Sequence, residues 1–172
     1  MINRLYPILT HVGFLRDYLY ISQSHLTSDR ISMRSLGIDL GEKRIGISIS
    51  DPTGLIAQPL STLQRRLGKR FPMSALISII EKYEVEDIIL GLPLALSGKD
   101  TPWTLTVREF AVTLEDRFKL PVHLVDERFT SSRAERIIST LGITKKNRRD
   151  KKLVDKISAV LILQSWLDSQ QT

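Results

Sequence analysis

Between Leu36 and Ser50 apolar positions alternate with small, polar or charged ones, a period of two that predicts strands at Leu36–Leu40 and Arg44–Ser50. The short Gly41-Glu42-Lys43 connection gives them hairpin spacing. Asp51-Pro52-Thr53-Gly54 reads as a turn, and Leu55–Leu63 as a third strand returning antiparallel to the second. The period then lengthens. Pro72 suits a first helical turn, and Met73, Leu76, Ile77 and Ile80 line one face of the helix after it. Asp87–Leu90 is a short apolar strand ending at Gly91-Leu92-Pro93. A loop from Ala95 to Trp103 leads to a helix with Val107, Phe110, Ala111, Leu114 and Phe118 on its apolar face. Pro121 opens the strand Val122–Val125. Ser131–Leu141 reads as a helix, with Ser132 and Glu135 spaced as a capping box and Gly142 as its stop. A final helix runs from about Asp150 to Asp168. The order βββ-α-β-α-β-α-α predicts an α/β domain with a mixed sheet: three antiparallel strands, then further strands alternating with helices packed on the sheet.

Residues 1–32 show a different pattern. Leu5, Ile8, Leu9, Val12, Leu15, Tyr18 and Leu19 keep helical spacing and give way to the polar SQSHLTSDRIS. Nothing there resembles a basic and then apolar secretory leader, and Asp17 and Asp29 argue against a transit peptide. The expectation is an N-terminal extension or misassigned start over residues 1–32, and one domain over residues 33–172 that begins at Met33.

Composition narrows the chemistry. The 172 residues include no cysteine, which excludes disulfides, thiolate nucleophiles and zinc–thiolate sites. His11, His25 and His123 have no ligand-like spacing, so a bound metal would be held by oxygen, favouring a hard ion such as Mg²⁺ or Mn²⁺. The formal net charge is +6. The first 32 residues hold three Arg and two Asp, so the excess belongs to the domain. It favours an anionic partner, nucleic acid before membrane. No apolar run approaches the roughly 18–20 residues that span a bilayer.

Three carboxylates occupy positions that solvation does not explain. Asp39 lies within an apolar strand, on the face opposite Ile38 and Leu40 and together with Gly37 and Gly41. The two glycines read as clearance for an anionic group approaching the backbone. Glu127 comes after the strand Val122–Val125 at its carboxyl end, where ligands of α/β sheets bind. Its neighbour Asp126 points to the opposite face, and either could be the one that lines a site. Asp155 shares a helix face with Ser158, Ala159 and Ile162, a small and apolar stripe that faces protein. Taken singly, each could be a turn, a surface ion pair or a solvated helix residue. Three carboxylates on three elements form the oxygen set that two-metal phosphoryl transfer requires. Positive charge stands near all three: Lys43 and Arg44 after Asp39, Arg128 after Glu127, and Lys145, Lys146, Arg148, Arg149, Lys151 and Lys152 before Asp155. Such residues suit phosphate contacts that position a nucleic acid without reading its sequence. Trp103 could stack on a base or pack in its loop.

The motifs DLGEKRIG (Asp39–Gly46), GLP (Gly91–Pro93), DERFTS (Asp126–Ser131) and VDKISA with LILQ (Val154–Gln164) together resemble the YqgF family, also called RuvX. The resemblance spans about Met33 to Asp168. It implies a ribonuclease H-like fold with a five-stranded mixed sheet. It also implies a cytoplasmic metal-dependent nuclease with Asp39, Glu127 and Asp155 as catalytic acids and ligands of two Mg²⁺ or Mn²⁺ ions. The family is described in two roles: maturation of the 5′ end of pre-16S ribosomal RNA, which we favour, and resolution of Holliday junctions. The partner is thus structured RNA or branched DNA, met by a monomer or, at a two-fold junction, a homodimer. The sequence departs from the family pattern after GLP, where it carries Ala95 and Ser97, and after Asp155, where Lys156-Ile157-Ser158 replaces an alanine-rich stretch. Two other readings compete. An actin- or Hsp70-like ATPase shares the DLG turn but needs two lobes and several hundred residues. A binding module that has lost catalysis would keep the positive charge alone.

Overall fold

The computed structural model describes residues 34–65, 71–128, 130, 134, 136 and 151–171, without the Lys152 side chain. The readings of residues 1–32, of Met33, of most of the helix at Ser131–Leu141 and of the basic loop after it lie outside the described residues. The elements are β1 (Arg34–Leu40), β2 (Arg44–Ser50), β3 (Ala57–Gln64), α1 (Met73–Tyr83), β4 (Val85–Leu92), α2 (Pro102–Phe118), β5 (Val122–Asp126) and α3 (Lys151–Ser169). They form one five-stranded sheet in the order β3-β2-β1-β4-β5. β1–β2 and β2–β3 pair antiparallel, whereas β1–β4 and β4–β5 pair parallel. This is the mixed sheet that the sequence predicts, with β1 at its centre.

Of the boundaries that differ from the sequence reading, three have a local reason. β3 starts at Ala57, not Leu55, because the Asp51 carboxylate gathers the turn: its Oδ1 accepts the Leu55 and Ile56 N–H groups at 2.8 and 2.9 Å. β4 starts at Val85, directly after Glu84 has closed α1 in the left-handed conformation (φ 51°). α2 takes in Pro102 and Trp103, because Thr101 and Thr104 form a reciprocal capping box around them. Trp103 therefore packs in a first helical turn, with the Arg65 guanidinium 5.4 Å from its ring centroid.

One face of the sheet carries Leu36, Ile38, Ile45, Ile47, Ile88 and Leu90, all buried against Leu76 of α1 and Val107 and Leu114 of α2. Each such side chain stabilises the fold by about 1.5–3 kcal/mol. The other face is covered by α3 through Ile162, Leu163 and Leu167. That face is lined with small residues, so the helix lies close. A Cβ on Gly37 would stand 2.2 Å from Ser48 Oγ and 2.7 Å from Leu163 Cβ. Ser48 Oγ donates to the Ala159 carbonyl at 2.8 Å, and Gln164 Oε1 accepts the Ala57 N–H at 2.8 Å. Gly37 is thus filled by the helix, and a Cβ on Gly41 would meet the Arg44 carbonyl oxygen of its own hairpin at 2.6 Å. Their clearance serves packing and the turn, which corrects the reading of both glycines as room for a phosphate. Among the described residues no helix is long and apolar enough to cross a membrane.

Candidate active site

The central strand presents Asp39 to the α3 side of the sheet, because Ile38 and Leu40 on either side of it are drawn into the opposite core. Gly46 of β2 lies directly across from Asp39. On the other flank, Gly91 of β4 comes one step after the Ile38–Leu90 pair. These two glycines make the site. A Cβ on Gly46 would stand 2.1 Å from the Asp155 carbonyl oxygen, so glycine lets the first half of α3 settle beside Asp39. A Cβ on Gly91 would stand 2.5 Å from Glu127 Oε2, so glycine leaves the place where the Glu127 carboxylate lies. The sequence reading passes over Gly46 and Gly91 in this role. The signal for them is present in RIGI and LGLP, where a glycine interrupts an apolar strand.

Asp39 and Glu127 are largely buried acids with like-charged neighbours. Burial pushes the Asp39 carboxyl from 3.8 up to about 7, and the Asp155 charge adds to the rise. Burial pushes Glu127 from 4.5 up to about 8, with the charges of Asp39 and Asp126 adding to it. Among the described residues, the charges that move these two groups are negative. Asp155 differs, because its Oδ2 accepts a hydrogen bond from Arg44 Nε. On its helix, Ser158, Ala159 and Ile162 are the buried face.

The structure separates Asp126 from Glu127. Asp126 is exposed and paired with Arg128, whose N–H, Nε and Nη2 lie 2.9, 2.8 and 2.7 Å from its carboxylate oxygens. That pairing holds the Asp126 carboxyl below its ordinary value. Arg128 Nη1 also reaches the Leu96 carbonyl at 3.4 Å, tying the loop after β4 to the end of β5.

The basic residues fall into three groups. Arg44 and Arg128 are committed to carboxylates of the chain itself. Lys43, at the β1–β2 hairpin, and Lys151, at the start of α3, are exposed. Lys145, Lys146, Arg148, Arg149 and the side chain of Lys152 lie outside the described residues.

Among the described residues, no three His, Asp or Glu side chains are drawn together as a ready-made metal cage. Asp155 is turned to Arg44 instead. The donor set nonetheless fits a hard divalent cation. It is all oxygen, and two of its carboxylates are largely buried, with no cation among the described residues shifting them.

A family model described as RuvX, Holliday junction resolvase, matches residues 33–169. A protein of Koribacter versatilis, provisionally named a pre-16S rRNA nuclease, is 49% identical over 135 residues, 78% of this chain and 86% of the relative. A protein of Syntrophomonas wolfei with the same provisional name is 47% identical over 136 residues, 79% of this chain and 94% of the relative. Among solved structures, RuvC of Thermus thermophilus in complex with a Holliday junction substrate aligns with a TM-score of 0.51 at 14% identity. The alignment covers 81% of this chain and 96% of RuvC. The fowlpox virus Holliday junction resolvase aligns with the same TM-score and identity, over 80% of this chain and 99% of its own. These two share the ribonuclease H-like fold with it. By the extent of the family match and the identity to these relatives, the chain belongs to the RuvX family.

Proposed function

We propose that this chain is a metal-dependent nuclease that hydrolyses phosphodiester bonds of structured RNA, acting in the cytoplasm on the 5′ end of pre-16S ribosomal RNA. The observation that carries the reading is the pair Asp39 and Glu127: two largely buried carboxylates side by side, with no positive charge among the described residues that shift them. Fold stability alone gives no reason to keep such a pair, and a cation on an anionic substrate does. Membership of RuvX and the provisional names of its relatives as pre-16S rRNA nucleases supply the substrate. The match over residues 33–169 supports residues 33–172 as the nuclease domain.

In this reading Asp39, from the central strand, would hold the metal together with Glu127 and Asp155. Mg²⁺ or Mn²⁺ held there would activate a water and stabilise the leaving oxygen. The residues of the chain do the rest. Gly46 and Gly91 bring the acids to one level of the sheet, and α3 fixes the backbone of Asp155 against β2. Lys43 and Lys151, both exposed, are placed to meet substrate phosphates.

The test is cleavage of a pre-16S 5′-end fragment by the full chain with Mg²⁺ or Mn²⁺, beside Asp39→Asn. Wild type should cut and Asp39→Asn should bind without cutting; undiminished cleavage by Asp39→Asn would overturn the three-carboxylate site. A four-way DNA junction serves as the second substrate, because the family model carries the description of a Holliday junction resolvase. Cutting of the junction with intact RNA would move the assignment to DNA. Depletion of the protein should leave precursor 5′ ends uncut in cells.

A further inference from the structure

The position of Arg44 next to the hairpin suggests positive field on a substrate, yet its guanidinium is spent on Asp155. Both partners stand on fixed backbone. The Arg44 carbonyl accepts the Gly41 N–H at 3.0 Å and closes the hairpin. The Asp155 carbonyl lies close against Gly46, where α3 meets β2 backbone to backbone. Any change in the pair must come from the side chains. These are 25% and 21% exposed, open enough for water and ions to reach them.

Charge balance sets the order of loading. Asp39 and Glu127 together carry two negative charges when ionised, which one divalent cation offsets. The charge of Asp155 is already offset by Arg44. A second cation in the centre therefore needs Asp155, and Asp155 must first leave Arg44.

Resting on the nuclease reading, we infer that Arg44 is a positioning residue that withholds Asp155 from the metal centre. Its release of Asp155 makes loading sequential. Asp39 and Glu127 take the first cation with the ion pair intact. Asp155 takes part in the second site only when its side chain turns away from Arg44. The freed guanidinium is then left beside the acidic centre, where it can meet a substrate phosphate through its planar fork. One pair of side chains thus couples completion of the metal site to exposure of a phosphate ligand.

Calorimetric titration of the full-length, metal-free protein with Mn²⁺ alone tests the inference without any turnover. Wild type should show a tighter and a weaker site. Arg44→Met, which keeps bulk and removes charge, should tighten the weaker site up to about fivefold, the scale of a partly exposed ion pair. Arg44→Lys should fall between the two. A weaker site that is unchanged or further weakened in Arg44→Met would overturn the latch and leave Arg44 as a support that orients Asp155. The wild-type protein gives a second readout that needs no variant to fold. With ¹⁵N-labelled arginine, the Arg44 Nε–H resonance should hold through the first equivalent of Mg²⁺ and shift with the second. A shift with the first equivalent, or no shift at all, would overturn the inference. Asp39→Asn separates the two levels. If it binds Mn²⁺ as wild type does, the acidic centre fails and the latch with it; if it loses the tighter site while Arg44→Met tightens nothing, the latch alone fails.

Discussion

A side chain on Gly46 would place its Cβ 2.1 Å from the carbonyl oxygen of Asp155, so β2 and the helix that carries Asp155 meet backbone to backbone. Neither side of that contact is the end of a flexible side chain. Gly46→Ala must therefore push α3 away from the sheet and carry Asp155 with it. We expect a loss of about 1–3 kcal/mol of stability, read as a lower Tm. Cleavage should fall further than the folded fraction does, because the displaced carboxylate belongs to the site. An equally stable and active Gly46→Ala protein would show that β2 and α3 have slack at this point.

Two buried serines on the same interface should respond with opposite signs. Ser48 Oγ donates to the Ala159 carbonyl at 2.8 Å. Ser158, 2% exposed on α3, has a hydroxyl with no partner among the described residues. Removing the first breaks a buried hydrogen bond and leaves a carbonyl with one bond fewer, at a cost of about 1 kcal/mol. Removing the second relieves an unpaired hydroxyl and raises helix propensity. Ser158→Ala should therefore gain about 1 kcal/mol. Urea unfolding of the two variants checks both signs, and a destabilised Ser158→Ala would mean that its hydroxyl has a partner after all.

The alternation of β1 and β2 made the strands legible, and with them the exceptional position of Asp39. Helical spacing likewise revealed the buried face of Asp155, Ser158, Ala159 and Ile162, because both signals are local. What stayed hidden is made by chain positions far apart. Gly46 is shaped by Asp155, 109 residues later, and Gly91 by the Glu127 carboxylate just past the end of the next strand. The partner of Arg44 lies 111 residues away, so its adjacency to Asp39 suggested a field on substrate where the fold makes an ion pair. Gly37 misled for the same reason. Its missing side chain is answered by Ser48 and Leu163, and no pattern along β1 names either. The start of β3 was misplaced because one side chain, Asp51, outcompetes the ladder for two amides.

The acids of the site make the metal-free protein less stable in mild alkali. Folding raises Asp39 to about 7 and Glu127 to about 8, so between pH 4 and these values the folded chain holds protons that the unfolded chain has released. Their contribution is complete below their unfolded pKa and is lost as pH rises through 7 and 8. Asp51 works the other way: hydrogen bonds from Thr53 and the turn amides lower it to about 2, so its contribution is lost only as pH falls toward that value. The Tm of the protein in EDTA should peak near pH 4–6 and decline by pH 8. At pH 8, Mg²⁺ or Mn²⁺ should restore it by binding the folded form. A Tm in EDTA that rises from pH 5 to pH 8 would contradict the protonation of these two groups.

Asp39→Asn should have an effect opposite to that of most substitutions at a buried position. In the metal-free protein at pH 8 the Asp39 charge is set against burial and the charge of Asp155. An amide of the same shape removes that charge. It should raise the Tm in EDTA most at pH 8, less at pH 5, and little below about pH 4, where Asp39 is protonated in the unfolded chain as well. Addition of Mg²⁺ should reverse the order, because wild type gains from the cation and the variant has lost its central ligand. A site that lowers the stability of the protein until it is loaded is the signature of acids kept for function. The decisive measurement is the pair of differences in Tm at pH 8, with and without Mg²⁺. If Asp39→Asn is less stable than wild type in EDTA, the Asp39 carboxylate supports the fold through a contact of its own, and its charge is not what destabilises the metal-free protein.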